Sequence, residues 1–147
     1  MGHKMRTQLA HWCVKECEVQ GTKIDRVPDL YKAFLHAERY RNWWSFVTIQ
    51  EIGRLVEPEI NKNGFRQYQV RIGEYLPPQW PMISRLMRHL GDALKEGKLT
   101  PEKWFIAFEE IHPFGDGNGR VGAIIANLLE GNKDADLKLS WEIHSFS

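Results

Sequence analysis

Apolar residues recur at three- and four-residue spacing through most of this chain of 147 residues, and that spacing restricts the fold more than any other feature. It places apolar side chains along one face of an α-helix. Prolines and glycines divide the pattern, so each run predicts a separate amphipathic helix. The predicted helical segments are 5–19, 28–41, 47–57, 81–96, 100–111 and 121–129. We therefore predict a mainly α fold.

One segment, residues 65–72, has a different pattern. Apolar and polar side chains alternate there: Tyr68, Val70 and Ile72 with Gln67, Gln69 and Arg71. A period of two is typical of a strand with one exposed face, and the preceding Asn63-Gly64 is a frequent hairpin turn. Pro77-Pro78 ends the pattern. We expect a single β-hairpin inserted between helices.

Composition excludes several classes of protein. The 20 Lys+Arg and 19 Asp+Glu residues leave a formal net charge of +1, too little for binding along a nucleic-acid backbone. No apolar run approaches the length of a membrane span. Two cysteines are too few for a disulfide scaffold. We expect one domain in a reducing compartment, with no nucleic-acid or membrane partner.

The residue types that carry chemistry are concentrated in residues 112–120, which read HPFGDGNGR and join two helical segments. Glycines leave the backbone amides uncovered, and the next helix start adds unpaired N–H groups and a positive dipole end. Such a turn suits an anion, most often a phosphate, and Arg120 adds a two-pronged donor. Asp116 is the kind of single carboxylate that holds Mg²⁺ beside substrate phosphates. His112 is placed to accept a proton.

Other interpretations of these glycines fit less well. Residues 117–122 match the dinucleotide-binding fingerprint G-x-G-x-x-G, but that fold needs more strands than the rest of the chain can supply. A calcium loop would need glutamate where Asn127 stands. Hairpin turns would need alternating flanks, and these flanks have helical spacing. We therefore favour a phosphate-binding helix start.

Residues 112–120 resemble the signature of the Fic family, H-P-F-x-[D/E]-G-N-G-R, at every specified position. The segment from Asn63 to Gly73, followed by Pro77-Pro78, is similar to the β-hairpin flap of that family. The resemblance covers about residues 45–130 and implies a Fic-type helical bundle with one inserted hairpin. We expect a helical segment at 1–44, the Fic core with flap and catalytic loop at 45–131, and a tail at 132–147, all in one domain.

The resemblance implies a protein adenylyltransferase that moves AMP from ATP to a Ser, Thr or Tyr hydroxyl of a target protein, with Mg²⁺. His112 would deprotonate the hydroxyl, Phe114 would anchor the loop and Asp116 would hold Mg²⁺. The phosphates are expected on Gly117, Asn118, Gly119 and Arg120. The target is expected on the flap by strand addition, on Phe65, Arg66, Gln67, Tyr68, Gln69, Val70 and Arg71.

Two departures from the family pattern affect this expectation. Ala123 stands where many members have a second arginine, and the inhibitory motif [S/T]-x-x-x-E-[G/N], whose glutamate pairs with that arginine, is absent from the sequence. We hypothesise that the protein does not restrain itself through that salt bridge. Relatives without the second arginine include a kinase-like toxin and a phosphocholine transferase, so transfer of a different phosphate-containing group is an alternative.

Residues that keep the family pattern favour one of these alternatives. Gly117 and Gly119 favour AMP transfer, since the relatives with other donors tend to replace these glycines. A non-catalytic Fic-fold binding module is a further alternative, which the intact His112 and Asp116 disfavour. The target, the oligomeric state and a separate regulatory or antitoxin-like protein stay open. We expect a cytoplasmic protein of bacterial or phage origin, or one delivered into a host cell.

Overall fold

The fold is built from α-helices. The computed structural model describes residues 4–144, and within them seven α-helices are formed. They are α1 (Thr7–Val19), α2 (Val27–Arg39), α3 (Phe46–Val56), α4 (Ile83–Glu96), α5 (Pro101–Ile111), α6 (Asn118–Glu130) and α7 (Ser140–Ile143). The six predicted helical segments are confirmed as α1 to α6, with shifts of only a few residues at their ends. None of the helices in this range combines the length and apolarity that crossing a membrane requires.

Local sequence signals account for several of the helix ends. Thr100 precedes α5, and its Oγ1 accepts a hydrogen bond from the N–H of Lys103 at 3.2 Å, with Pro101 in the first helical position. Gly97 follows α4 and Gly131 follows α6, with φ angles of 61° and 72°. The left-handed conformation suits glycine, so these helices end where the sequence predicts.

Helix α6 is the centre of the core. Its residues Asn118–Asn127 are all buried, so no face of this stretch meets solvent. At Gly122 a Cβ atom would lie 2.9 Å from Cε2 of Phe105, and the missing side chain lets α5 approach closely. Helices α2, α3 and α7 also contact α6. Because α6 is fixed on several sides, the loop that leads into it is fixed as well.

The N-terminal segment and the tail pack on the same core. Leu9 and Trp12 of α1 and Ile143 of α7 belong to one cluster of buried apolar side chains together with the residues of α6. The indole N–H of Trp12 also donates to the carbonyl of Lys138 at 2.9 Å. Residues 1–3 and 145–147, the outer ends of the predicted segments 1–44 and 132–147, lie outside the described residues.

The prediction of a β-hairpin at residues 65–72 is wrong. Over residues 4–144 the structure contains no β-strand, and an isolated antiparallel bridge joins Ile72 and Tyr75. Each of these two residues donates its N–H to the carbonyl of the other at 2.9 Å, across a turn in which Gly73 has a φ of 57°. The alternating pattern therefore ends in a single tight turn.

Two features stop the pairing beyond this bridge. The next hydrogen-bonded pair in antiparallel register would be Val70 with Pro77, and proline has no N–H to donate. The carboxamide of Gln69 donates instead to the carbonyls of Val70 at 3.2 Å and Pro77 at 3.1 Å. At the start of the segment, Phe65 and Arg66 are both buried, which breaks the alternation of faces expected of a strand.

Candidate functional site

His112 lies at the point where α5 ends and the glycine-rich loop begins. Its φ of 51° and ψ of 62° are left-handed, and it is the only non-glycine residue with positive φ among residues 4–144. This conformation is unfavourable for a residue with a Cβ atom, so the surrounding contacts must hold it. The N–H of His112 still donates to the carbonyl of Phe108 at 2.9 Å, while its ring borders a cavity.

The surroundings of His112 keep its imidazole neutral. Burial of the ring lowers its pKa to about 4, and the guanidinium of Arg66 acts in the same direction. Asp116 and the backbone of Glu109 raise the pKa, but by less. Nδ1 is buried and no well-aligned hydrogen bond reaches it. The ring is therefore in the form that can accept a proton at neutral pH.

Phe114 and Asn118 fix the shape of the loop. Phe114 is fully buried, and a Cβ atom at Gly53 would lie 2.2 Å from its Cε1, so the glycine makes room for the ring. Asn118 folds back on the loop: its Nδ2 donates to the carbonyl of Phe114 at 2.9 Å, and its Oδ1 accepts the N–H of Phe114 at 2.9 Å. The Asn118 side chain is thus engaged by the loop, and its backbone N–H remains at the start of α6.

Arg120 lies at the base of the site with only 1% of its side chain exposed. Its Nη2 is 2.9 Å from Oε1 of Glu57 and 3.6 Å from Oδ1 of Asp116. The other oxygen of Glu57 is 3.1 Å from Nε of Arg26. Nε and Nη1 of Arg120 are buried and have no hydrogen-bond partner. Buried donors without a partner are costly, so these two groups mark a position where an anion is expected.

Asp116 presents its carboxylate at the edge of the same site, with 55% of the side chain exposed. Oδ1 accepts the N–H of Gly117 at 2.7 Å, and the backbone carbonyl accepts Nδ2 of Asn61 at 2.9 Å. Within residues 4–144 no cluster of three or more His, Cys, Asp or Glu side chains could hold a metal ion. One accessible carboxylate beside an anion site fits Mg²⁺, which binds through few carboxylates together with phosphates and water.

A cavity of about 870 Å³ brings the predicted loop residues together. Its volume is within the range of sites for small molecules and cofactors. The wall includes His112, Asp116, Gly117, Asn118, Gly119 and Arg120. Ile72 and Tyr75 of the tight turn also border the cavity, and the hydroxyl of Tyr75 donates to the carbonyl of Glu110 at 2.7 Å. The predicted base, carboxylate and phosphate-binding groups therefore share one space.

The structure divides the predicted flap residues into an inner and an outer group. Phe65 and Arg66 are buried, and the N–H of Arg66 donates to the carbonyl of Pro113 at 2.8 Å. The outer group is accessible to another protein and consists of the exposed Gln67, Tyr68, Gln69 and Arg71 and the half-buried Val70. None of these residues is part of the described cavity wall. The inner pair supports the catalytic loop.

The support beneath the loop includes residues that the sequence analysis missed. Glu57 pairs with Arg120, and Asn61 donates to the carbonyl of Gly53 at 3.0 Å as well as to the loop. A single sequence gives no signal that separates Glu57 from the exposed Glu59, since both stand next to Pro58 after an apolar helix. Glu57 differs from Glu59 only because the fold places Arg120, from a distant segment, beside its carboxylate.

Gln20 and Glu109 line the cavity and were also missed. Nε2 of Gln20 donates to Glu16 at 3.0 Å and to Ser140 at 2.6 Å, and a Cβ atom at Gly119 would lie 2.5 Å from it. Oε1 of Glu109 is buried and has no hydrogen-bond partner. Burial raises the pKa of Glu109 to about 7, and the charge of Glu16 adds to that effect. A neutral amide and a carboxylic acid with a raised pKa thus belong to the cavity wall.

The loop of residues 112–120 and helices α3 to α6 around it lie almost entirely within a stretch of sequence that matches a known family. The sequence profile of the Fic/DOC family matches residues 43–129, and the chain belongs to this family, which confirms the resemblance seen in residues 112–120. A relative from Aedes aegypti named Protein adenylyltransferase Fic is 32% identical over 98 residues, which cover 57% of this chain and 19% of the relative. The chain thus spans about a fifth of the length of that relative.

Proposed function

We propose that this protein transfers AMP from ATP to the hydroxyl of a Ser, Thr or Tyr side chain on a target protein. The observation that carries the proposal is the pair of buried, partnerless donors on Arg120, a residue that lines the same cavity as His112 and Asp116. An anion site, a neutral base and an accessible carboxylate are the groups that transfer at phosphorus requires. The name of the Aedes aegypti relative supports AMP as the transferred group.

His112 is the proposed base. Because Nδ1 is buried, Nε2 is the ring nitrogen left to accept a proton from the target hydroxyl. The hydroxyl oxygen forms a bond to the α-phosphorus of ATP while the bond from that phosphorus to the bridging oxygen breaks. The proton moves to His112, and pyrophosphate leaves with the electron pair of the broken bond. The low pKa of His112 keeps the ring ready for this step without prior loss of a proton.

The start of α6 and Arg120 are the proposed phosphate site. Gly117, Asn118 and Gly119 place backbone N–H groups at the positive end of the α6 dipole. Glu57 fixes one end of the Arg120 guanidinium, while the Nε and Nη1 donors have no hydrogen-bond partner and are available to a ligand. A donor that is already oriented loses little freedom when an anion binds, so this arrangement favours both affinity and stabilisation of developing charge.

Asp116 is the proposed ligand of Mg²⁺ on the protein. Bound Mg²⁺ neutralises phosphate charge and thereby favours departure of pyrophosphate. The remaining contacts to the ion are expected from the phosphates of ATP and from water. Asp116 is suited to this role since its carboxylate is exposed at the cavity edge while its backbone is held by Asn61.

The outer flap residues are the proposed surface for the target. Among the described residues, no hydrogen bond between backbone groups involves residues 67–71, so this stretch retains groups for pairing with an extended segment of another protein. A separate regulatory or antitoxin-like protein remains an expectation. Cys13 and Cys17 are buried and unpaired, which supports a reducing, cytoplasmic site of action.

The proposal is tested with ATP labelled at either the α- or the γ-phosphate. Purified protein is incubated with Mg²⁺ and each label in bacterial lysate, and labelled proteins are separated by electrophoresis. Transfer from the α-label alone, abolished by His112→Ala and strongly reduced by Asp116→Asn, is the expected result. His89→Ala is the matched control, since His89 is exposed on α4.

Other outcomes of the same experiment reject the proposal. Transfer from the γ-label indicates a kinase-like reaction and gives weight to Ala123 in place of the second arginine. Transfer from neither label indicates another donor or a binding protein. An α-labelled product that persists in His112→Ala removes His112 from the role of base.

A further inference from the structure

Arg66 is a buried arginine that bonds to backbone carbonyls and not to an acid. It is 3% exposed, and its guanidinium donates to four carbonyls within the described part of the chain. Nε donates to His112 at 2.7 Å and Nη2 to Ile111 at 3.2 Å. Nη1 donates to Tyr68 at 3.0 Å and Nη2 to Pro78 at 2.7 Å. Such a fork of fixed donors is a property of arginine that lysine does not share.

Two of the four acceptors of the Arg66 side chain, the carbonyls of Ile111 and His112, lie at the end of α5 beside the imidazole of the proposed base. The last carbonyls of a helix have no partner inside that helix, and a cation there is favourable. The side chain of Arg66 donates hydrogen bonds to the carbonyls of Ile111 and His112, and its backbone N–H donates to the carbonyl of Pro113 at 2.8 Å. One residue thus holds three consecutive carbonyls across the left-handed turn at His112.

The charge of Arg66 acts on the same imidazole. Burial is the main cause of the low pKa of His112, Arg66 lowers it further, and Asp116 and the backbone of Glu109 oppose the shift. Burial also lowers the pKa of Arg66 itself, while Tyr68 and Tyr75 raise it. Arg66 therefore places a positive charge close to His112 without a neutralising carboxylate in its own hydrogen bonds.

We infer that Arg66 is a positioning residue for His112: it fixes the peptide groups around the left-handed turn so that the imidazole is presented to the cavity in one orientation. The inference rests on the proposed role of His112 as base. It gives Arg66 an internal role in place of the target contact expected from the flap pattern. The side chains of its exposed neighbours, residues 67–69, take no part in these hydrogen bonds, and only the backbone carbonyl of Tyr68 does.

The first test compares Arg66→Lys and Arg66→Ala with Arg85→Ala, an exposed arginine on α4. A misplaced base lowers turnover and leaves ATP binding nearly intact. We expect kcat to fall by about tenfold to a hundredfold in both Arg66 variants, with KM for ATP changed by less than about threefold. Lysine keeps the charge but cannot reach several carbonyls at once, so it should not restore turnover. Added guanidinium ion should restore part of the activity of Arg66→Ala and none of His112→Ala.

The second test does not depend on activity. The ring C–H signals of His112 are followed by NMR during a pH titration of the wild type and the three arginine variants. We expect shifted ring signals in both Arg66 variants, and a higher His112 pKa in Arg66→Ala than in Arg66→Lys. Arg85→Ala should match the wild type. Circular dichroism identifies which variants are folded, and Arg66→Lys is the variant expected to fold if Arg66→Ala does not.

The two tests separate failure of this inference from failure of the proposed function. Wild-type turnover in Arg66→Lys, or ring signals of His112 that are unchanged in a folded Arg66 variant, overturns the positioning role. Equal loss of ATP binding and turnover also overturns it, since a general structural role would produce that result. If the wild type transfers no AMP at all, the NMR titration still decides whether Arg66 orients His112.

Discussion

The carboxylate of Glu57 and the guanidinium of Arg120 form a buried ion pair, with 2.9 Å between Oε1 and Nη2. Glu57 comes from the end of α3 and Arg120 from the first turn of α6, so the pair joins two helices beneath the catalytic loop. Arg26 binds the second oxygen of Glu57 from the surface side. One carboxylate therefore holds two cations, and it leaves Nε and Nη1 of Arg120, a residue of the cavity wall, without a hydrogen-bond partner.

Glu57→Gln should destabilise the protein strongly. Loss of one partner leaves a buried guanidinium without its counter-charge, which costs about 3–5 kcal/mol in comparable pairs. The free energy of unfolding is measured by urea titration. Glu51→Gln is the control, because Glu51 pairs with Arg54 near the surface and loss of such a pair costs less than about 1 kcal/mol. Equal losses in the two variants would contradict a special role for Glu57.

The acid limb of the pH–rate profile should lie well below the ordinary range for histidine. The pKa of His112 is lowered to about 4, and only the neutral ring can accept a proton. The value of kcat/KM for ATP, which reports the free enzyme, should therefore stay high as the pH falls through 6 and decrease as it approaches about 4. The protein must remain folded over this range, which circular dichroism checks. A limb near the usual histidine pKa of about 6.5 would show that the pKa of His112 is not lowered in solution.

The helices and the loop motif could be predicted from sequence because their signals are local. Helical spacing, Thr100 before Pro101 and glycine after α4 and α6 each act within a few residues. The predicted hairpin does not form, and the reason is also local. Pro77 stands opposite Val70 in the expected register and cannot donate to the ladder. An alternating pattern predicts a strand only where a partner can complete the hydrogen bonds.

The support of the site could not be predicted, because it depends on contacts between distant segments. Arg66 reaches the end of α5, and Glu57 reaches the start of α6, across 45 to 63 positions of sequence. In the sequence, both residues look like ordinary charged residues, which are usually exposed. Their burial becomes visible only once α3, α5 and α6 are packed around the loop.

Substitution of Gln20 tests whether the segment at the end of α1 restrains the site. Gln20 directly follows α1 and lies over Gly119, and its neutral amide donates to Glu16 and Ser140. Removal of α1 would expose the core, so Gln20→Ala is the cleaner change. We expect the rate of AMP transfer to change little, since no charge pair is broken. A rise of many-fold would show that the end of α1 does restrain the site.

Glu109→Gln should stabilise the protein at alkaline pH. The pKa of Glu109 rises from 4.5 to about 7 on folding, so between these values the folded chain holds a proton that the unfolded chain has released. The stability associated with this proton is complete below pH 4.5 and is lost as the pH rises through about 7. Glutamine cannot ionise and avoids that loss. The Tm advantage of Glu109→Gln over the wild type should be larger at pH 8 than at pH 5.

The neighbouring Glu110→Gln is the control for that comparison, because Glu110 is exposed. Its Tm difference from the wild type should be similar at the two pH values. If Glu109→Gln behaves in the same way as Glu110→Gln, the carboxyl of Glu109 is not held in its protonated form by the fold.

Gly53→Ala should disrupt the anchor of the catalytic loop. A methyl group at position 53 would lie 2.2 Å from Cε1 of Phe114, and neither α3 nor the buried ring can move far. Overpacking of this kind costs about 1–3 kcal/mol, which exceeds the gain of up to about 1 kcal/mol from alanine in a helix. Phe114→Leu removes Cε1 and Cζ, the two ring atoms that the methyl group would meet most closely. The double variant should therefore be more stable than the sum of the two single losses predicts, as measured by urea unfolding of all four proteins. Additive losses would show that Gly53 and Phe114 do not compete for the same space.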